Sequence, residues 1–153
     1  MYDGKNISSG KEFVMPIRPK FVLQKHYGKT VHFDLRLEMN GVLRSWALPN
    51  GFPDKEGTSC LATASIDHPL EYGEFEGWLP EGEFGSGKIE MVDKGYYSLY
   101  LSNTPADQNE IEKAYLNGRI LLKLDGEHIK GNFSLVQNQK SEKRWLLSLL
   151  LES

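Results

Sequence analysis

A single cysteine, Cys60, stands in the 153 residues, so no internal disulfide can staple the fold and a reducing, cytoplasmic address is expected. The apolar stretches, such as Leu146 to Leu151, fall far short of the roughly 20 residues that cross a bilayer, and no membrane association is expected. The first residues, Met1 to Gly10, are polar and lack the apolar block of a secretory signal. Positive charge is not in excess: 18 Lys and Arg face 21 Asp and Glu, a net charge of −3. A protein that coats duplex DNA needs a basic stripe to neutralise phosphates, so bulk duplex binding is disfavoured. A grip on one or two phosphates, through local cations and a metal, is compatible with that total. Internal repeats and low-complexity tracts are also missing.

Turns are plentiful. Gly and Pro, 15 and 7 residues, are spread along the chain and cut it into short segments, the mark of a β-rich fold. Residues 1–19, with Pro16 and Pro19, read as an irregular lead-in, and residues 20–153 as a single domain. From Val31 to Glu38 the chain alternates strictly: Val31, Phe33, Leu35 and Leu37 on one face, His32, Asp34, Arg36 and Glu38 on the other. Asn40-Gly41 follows, a pair that accepts the positive φ angles of a type I′ hairpin turn, and Val42 to Leu48 returns. A two-residue turn sets Leu35 opposite Trp46, Phe33 opposite Leu48, Arg36 opposite Ser45 and Asp34 opposite Ala47. Upstream, Phe21 to His26 is a further strand. A five-residue loop, Tyr27 to Val31, would place His26 opposite His32 and Gln24 opposite Asp34; a four-residue loop would part the histidines.

Further strands are expected over Ser59 to Ile66, Lys88 to Val92, Ser98 to Leu101, Arg119 to Asp125, Ile129 to Gln137 and Arg144 to Leu151. One helix is expected, opened by a capping box at Thr104-Pro105-Ala106-Asp107, carrying Ile111, Ala114 and Tyr115 on one face and stopped by Gly118. Many short strands and one helix predict a mainly β fold, a barrel or tightly curled antiparallel sheet.

Chemistry concentrates on one strand face. Two imidazoles and a carboxylate are the donor set of many open transition-metal sites, and His26, His32 and Asp34 fall in that pattern. Arg36, one step along the row, offers a planar fork to an anionic oxygen. The same row is also open to a blander reading, a solvated strand face of mixed charge. A second group, Asp67-His68-Pro69-Leu70-Glu71-Tyr72, holds His68 in extended backbone before a proline, with Tyr72 in the loop beyond. His68 reads either as a surface histidine in a turn or as a phosphate donor or general acid. His128, beside Asp125-Gly126, reads as a surface residue, and Cys60 as a buried structural thiol. Trp46, Trp78 and Trp145 read as core or near-core residues, Trp78 being the one placed to meet a ligand. The acidic run Glu71, Glu74, Glu76, Glu81, Glu83 lacks EF-hand spacing and reads as solvated.

Taken together, Gln24-Lys25-His26, His32-Phe33-Asp34-Leu35-Arg36-Leu37-Glu38 and Gly41 through Pro49 closely resemble the core of the 3′-phosphoesterase module attached to bacterial DNA ligase D, also found free-standing in bacteria and archaea. Asp67 through Tyr72, Phe75-Glu76-Gly77 and Pro80 through Gly87 resemble its second block. Leu124-Asp125-Gly126, Lys130-Gly131, Phe133 through Val136 and Trp145-Leu146-Leu147 resemble its closing strands, so that residues 20 to 150 are covered. The resemblance implies an antiparallel barrel of about eight strands with one helix, and a divalent ion, manganese or another transition metal. It implies removal of a 3′-terminal ribonucleoside and of a 3′-phosphate, leaving a 3′-hydroxyl. Carried over position by position, His26, His32 and Asp34 match metal ligands, and Arg36 and His68 match catalytic, phosphate-contacting residues. Gln24 and Tyr72 match further residues needed for activity, taken as substrate-binding. Implied partners are 3′ ends of DNA or RNA-tailed primer strands, with a DNA ligase or polymerase acting in trans; a monomer is expected. Asn50 and Cys60 stand where the family often carries Lys and Arg, and the family's longer charged N-terminal segment is not recognisable in Met1 to Lys20.

Two other classes share these residues. A mononuclear iron oxygenase also uses two histidines and a carboxylate, and a non-catalytic metal- or nucleotide-binding barrel would need no Arg36 or His68. The presence of those two residues favours phosphate chemistry.

Overall fold

The computed structural model describes residues 18–79, 87–100 and 107–151. Nine strands are present: β1 (Lys20–Tyr27), β2 (Val31–Met39), β3 (Val42–Leu48), β4 (Ser59–His68), β5 (Gly77–Leu79), β6 (Gly87–Leu99), β7 (Arg119–Gly126), β8 (Lys130–Gln137) and β9 (Arg144–Leu149). A 3-10 helix, Leu70–Glu74, follows β4, and one α-helix, α1 (Gln108–Leu116), precedes β7. The strands pair antiparallel in the order β1-β2-β3-β4-β9-β8-β7-β6, and β6 returns to β1, closing an eight-stranded barrel. β5 lies outside this ring, paired to the start of β6. Closure leaves few free edges, which suits a sheet made of short strands. Among the described residues no helix is long and apolar enough to cross a membrane.

The expected register of the first hairpins is present. Asn40 and Gly41 both have positive φ, 54° and 84°, and β2 pairs β3 with Leu35 opposite Trp46 and Arg36 opposite Ser45. β1 pairs β2 with His26 opposite His32 and Gln24 opposite Asp34. Phe21, Leu35, Leu37, Trp46, Leu48, Ile120, Leu122, Phe133, Leu135 and Leu147 fill the barrel interior. α1 closes one end: Ile111 is buried, and Tyr115 meets the rings of Trp46 and Trp145.

Several expectations change. Lys88 to Val92 and Ser98 onward belong to one long strand, β6, which pairs with β5 at its start, with β1 from Lys88 to Tyr96 and with β7 from Gly95 to Leu99; Leu101 lies outside the described residues. The three-residue β5 is not among the strands expected from the sequence. The capping box is real but three residues later. Asp107 is the N-cap, its carboxylate accepting the Glu110 N–H while the Glu110 carboxylate accepts the Asp107 N–H. Asp caps as well as Thr, so the pattern alone does not fix its starting residue; Thr104 to Ala106 lie outside the described residues, as does the lead-in up to residue 17. Cys60 is half-buried rather than buried; it pairs with Leu147 and so shares the interior-facing side of the sheet. Burial raises its thiol above the ordinary value.

Candidate metal centre and phosphate site

The outer face of β1, β2 and β3 carries the polar row, and the strand pairing brings its members together. His26 and His32 are cross-strand partners, with ring centroids 4.8 Å apart and nearly edge to face. One carboxylate oxygen of Asp34, Oδ2, lies 3.9 Å from His26 Nδ1, 3.4 Å from His32 Nε2 and 3.5 Å from Arg36 Nη2. The ligand atoms of His26, His32 and Asp34 all fall within 4.8 Å of one another. That spacing and the N, N, O donor set fit a small divalent transition metal with coordination positions left open. The hydrogen bond to Asp34 raises the His32 pKa, the expected direction for an imidazole facing an acceptor.

Arg36 is 3 % exposed, and nearly every donor it has is spoken for. Nε donates to Gln24 Oε1 at 2.7 Å, Nη1 donates to Ser45 Oγ at 2.9 Å, and Nη1 also lies 3.1 Å from His68 Nδ1. Burial lowers the guanidinium pKa and Asp34 opposes that change, so the charge is kept by a specific carboxylate. The side chain to which Nη2 is nearest is Asp34, which leaves this nitrogen with capacity for an incoming anionic oxygen.

His68 reaches this face through a bulge. Ser45 pairs with Ser65, but Leu43 pairs with His68, so β4 holds one more residue than β3 over that step. Without the extra residue, alternation would turn His68 to the barrel interior. The ring stacks on Tyr72, centroids 4.7 Å apart, and Tyr72 in turn stacks on Phe75 and lies under the Arg36 guanidinium at 4.8 Å. Burial first, and the Arg36 charge second, lower the His68 pKa. Burial raises that of Tyr72.

Gln24, expected among the substrate-binding residues, lies behind Arg36. It is wholly buried, and its amide is committed to the protein: Nε2 donates to the carbonyls of Tyr72 and Phe75 at 3.2 and 3.0 Å, and Oε1 accepts from Arg36. Its role is to tie the Leu70–Glu74 turn, and with it Tyr72, to the guanidinium. The turn seats against the same face: a Cβ on Gly73 would stand 3.2 Å from Val22 and 3.4 Å from Leu43. From sequence, neither Gln24's partners nor Ser45's contact with Arg36 carries a signal beyond the register itself.

Arg44 lies apart from the site, paired with Glu112 of α1 at 2.7 Å and stacked 4.0 Å over Tyr115. Lys88 pairs with Tyr27 on the reverse face of β1. Asn50 is exposed in the turn after β3. A second group with ligand spacing, Asp93, Glu127 and His128, is a turn latch. Both Asp93 oxygens accept backbone N–H groups of Glu127, His128 and Ile129 at 2.7 to 3.2 Å, and the His128 side chain is exposed as expected. Of the acidic run, Glu74 pairs with Lys94 and Glu76 accepts the Met91 N–H. Glu81 and Glu83 lie outside the described residues.

An eight-stranded antiparallel barrel bearing two histidines, an aspartate and a buried arginine on its outer face defines the class. Residues 24–137 match the family model described as the DNA ligase D 3′-phosphoesterase domain, and the chain belongs to that family. It is 38% identical over 126 residues to the multifunctional non-homologous end joining DNA repair protein LigD of Mycobacterium tuberculosis (strain ATCC 25618 / H37Rv), a match covering 82% of this chain and 15% of that protein. Against the multifunctional non-homologous end joining protein LigD of Pseudomonas aeruginosa it is 34% identical over 132 residues, covering 84% of this chain and 14% of the relative. The chain therefore spans about one seventh of the length of these relatives.

Proposed function

We propose that this protein is a metal-dependent 3′-end-healing phosphoesterase in DNA repair by end joining, removing a terminal ribonucleoside by phosphodiester cleavage and a 3′-phosphate by monoester cleavage. The observation that carries the reading is the convergence of His26, His32 and Asp34 within ligand distance of one another, directly beside a buried Arg36 that also holds His68. The relatives' names place them in non-homologous end joining, and DNA 3′ ends, processed alongside a ligase or polymerase, are the substrate class proposed here.

His26, His32 and Asp34 would hold the ion, manganese or another divalent transition metal. When bound, that ion supplies Lewis-acid neutralisation of phosphate charge. The protein's own groups do the rest. Arg36 Nη2 donates to a phosphate oxygen, so charge building on the phosphoryl group meets a cation fixed by Gln24 and Ser45 before the substrate arrives. A guanidinium only donates, so His68 Nδ1 must accept and the proton sits on Nε2. His68 is thus a neutral hydrogen-bond donor that orients the phosphate; as a neutral imidazole rather than an imidazolium it is too weak an acid to protonate the leaving oxygen. Tyr72 buttresses His68 through ring stacking. Arg36 and His68 beside the triad also weigh against an iron oxygenase, which has no use for a phosphate clamp.

The test is a time course with manganese on a primer–template whose primer ends in one ribonucleotide, and on a matched primer ending in a 3′-phosphate, resolved by gel. Shortening to a 3′-phosphate and then to a 3′-hydroxyl is expected. Unchanged primers in manganese, cobalt and zinc would overturn the reading.

A further inference from the structure

On the reverse face of β1, one residue from His26, a single cross-strand row runs Trp78–Lys88–Tyr27–Val31 through β5, β6, β1 and β2. Its two ends are unusually bare for apolar side chains: Trp78 is 75% exposed and Val31 52%. Among the described residues the Trp78 indole makes no ring contact or side-chain hydrogen bond. Tyr27 is bracketed by ammonium groups, Lys25 Nζ at 5.1 Å and Lys88 Nζ at 5.7 Å from its ring centroid, and Lys25 also lies 5.6 Å from the Phe33 ring. Glu90, which accepts from the Tyr27 hydroxyl at 3.1 Å and lies 4.0 Å from Lys88, is the carboxylate in this group. With Lys29 exposed in the adjoining hairpin loop, this end of the sheet gathers, among the described residues, the cations Lys25, Lys29 and Lys88 near the carboxylate of Glu90.

We infer that this row is a binding surface for unpaired nucleic acid, taking bases left single-stranded beside a processed 3′ end. One exposed indole, Trp78, beside the ammonium groups of Lys88 and Lys25 over the half-buried Tyr27 ring, offers a base a face to stack on and its phosphates cations within the roughly 5 Å spacing of cross-strand neighbours. A duplex keeps its base faces stacked on one another and offers Trp78 nothing to stack on. The surface lies at the β1–β2 hairpin end of the barrel, where a strand leaving His26 and His32 turns over the rim to reach Tyr27. The inference rests on the nucleic-acid substrate proposed above and is tested without catalysis.

Trp46 and Trp145 are 1% and 3% exposed, so quenching of tryptophan fluorescence by an oligonucleotide reports on Trp78. An oligothymidylate of about twelve nucleotides, titrated in EDTA, should quench the native protein. Trp78→Ala should weaken binding about tenfold by anisotropy of the labelled oligonucleotide, as expected for loss of one stacked base. Lys88→Ala should lower the slope of log affinity against log salt by about one. Absence of quenching, or equal affinity in Trp78→Ala, would overturn the inference, whichever way the primer-trimming assay turns out. Native-like circular dichroism of both variants excludes misfolding, since neither residue is in the core.

Discussion

Nη1 of Arg36 stands 3.1 Å from Nδ1 of His68, and the same Nη1 donates to Ser45 Oγ. A proton on Nδ1 would face a donor that cannot turn into an acceptor, so His68 is held neutral in the folded protein, and its pKa is lowered by burial and by the Arg36 charge. The sign of the linkage follows. Below the ordinary histidine value, about 6.5, the unfolded chain takes up a proton that the folded chain refuses until its lower pKa is reached. Stability therefore falls as pH drops through that window and is regained as pH rises. Urea unfolding of the native protein and His68→Gln at pH 5, 6 and 7 reads this directly: the native protein should lose more stability on acidification than the variant. A parallel pair of curves would mean that His68 is not held against Arg36.

Gln24 is expected to matter for shape rather than for substrate contact. Gln24→Glu sets a carboxylate oxygen where Nε2 donates to the Tyr72 and Phe75 carbonyls. Losing those bonds at a fully buried site should cost about 1–3 kcal/mol and loosen the turn. Hydrogen exchange at the Phe75 amide, bonded to the Tyr72 carbonyl, should speed up. Wild-type protection there would contradict the tie between turn and guanidinium.

How much of this was readable beforehand depends on where each contact comes from. The pairing of His26 with His32 and of Arg36 with Ser45 is a consequence of strand alternation and the Asn40-Gly41 turn, both local properties. The placement of His68 is not local: it needs one extra residue in β4 relative to β3, and no residue type announces a bulge there. Gln24's partners are backbone carbonyls about fifty positions away, equally silent in sequence. The continuity of β6 was hidden because Gly95 falls mid-strand. A Cβ there would meet the Asp125 carbonyl of β7, so the glycine marks a close approach of strands and not a turn.

Metal binding should be visible as stability. If His26, His32 and Asp34 hold manganese, an ion at 100 times its dissociation constant adds about 2.7 kcal/mol. A manganese-dependent rise in melting temperature is therefore expected in the native protein. It should vanish in His26→Ala and His32→Ala, and chelation should reverse it. Asp34→Ala should lose the metal effect and also lower the metal-free stability, because Arg36 is left buried without its carboxylate. An undiminished shift in His32→Ala would remove it from the ligand set.

Arg36 sits in the same network, so its removal mixes two effects. Arg36→Ala leaves Gln24 Oε1 and Ser45 facing a void, and a loss of activity there says little about phosphate. Arg36→Lys is more informative. It keeps a cation, but a point charge cannot reproduce the fork that meets Gln24, Ser45 and an incoming oxygen together. Turnover should drop by about one to two orders of magnitude, the range for losing one charge-assisted contact in the transition state. The manganese-dependent melting shift should stay. Near-native turnover in Arg36→Lys would show that the guanidinium is structural only.

The balance between the two proposed activities turns on cations near the phosphate. Cys60 of β4 faces the interior side of the sheet with its β9 partner Leu147, and Arg44 is committed to Glu112, so neither stands beside Asp34. Asn50 is different: it is exposed two residues beyond β3, whose last residue, Leu48, pairs with Phe33 next to His32. A 3′-phosphate approaches a charge of −2 near neutrality, since its second pKa is about 6, whereas a diester carries −1, so the monoester gains more from each added cation. The native protein should therefore remove a terminal ribonucleoside faster than a 3′-phosphate. Asn50→Lys should raise the second rate more than the first, by about tenfold or more if the ammonium makes one new charge-assisted contact. Parallel time courses on the two matched primers measure both rates in both proteins. Equal native rates with no differential gain in Asn50→Lys would mean that Arg36 and the metal ligands already set the charge balance for either substrate.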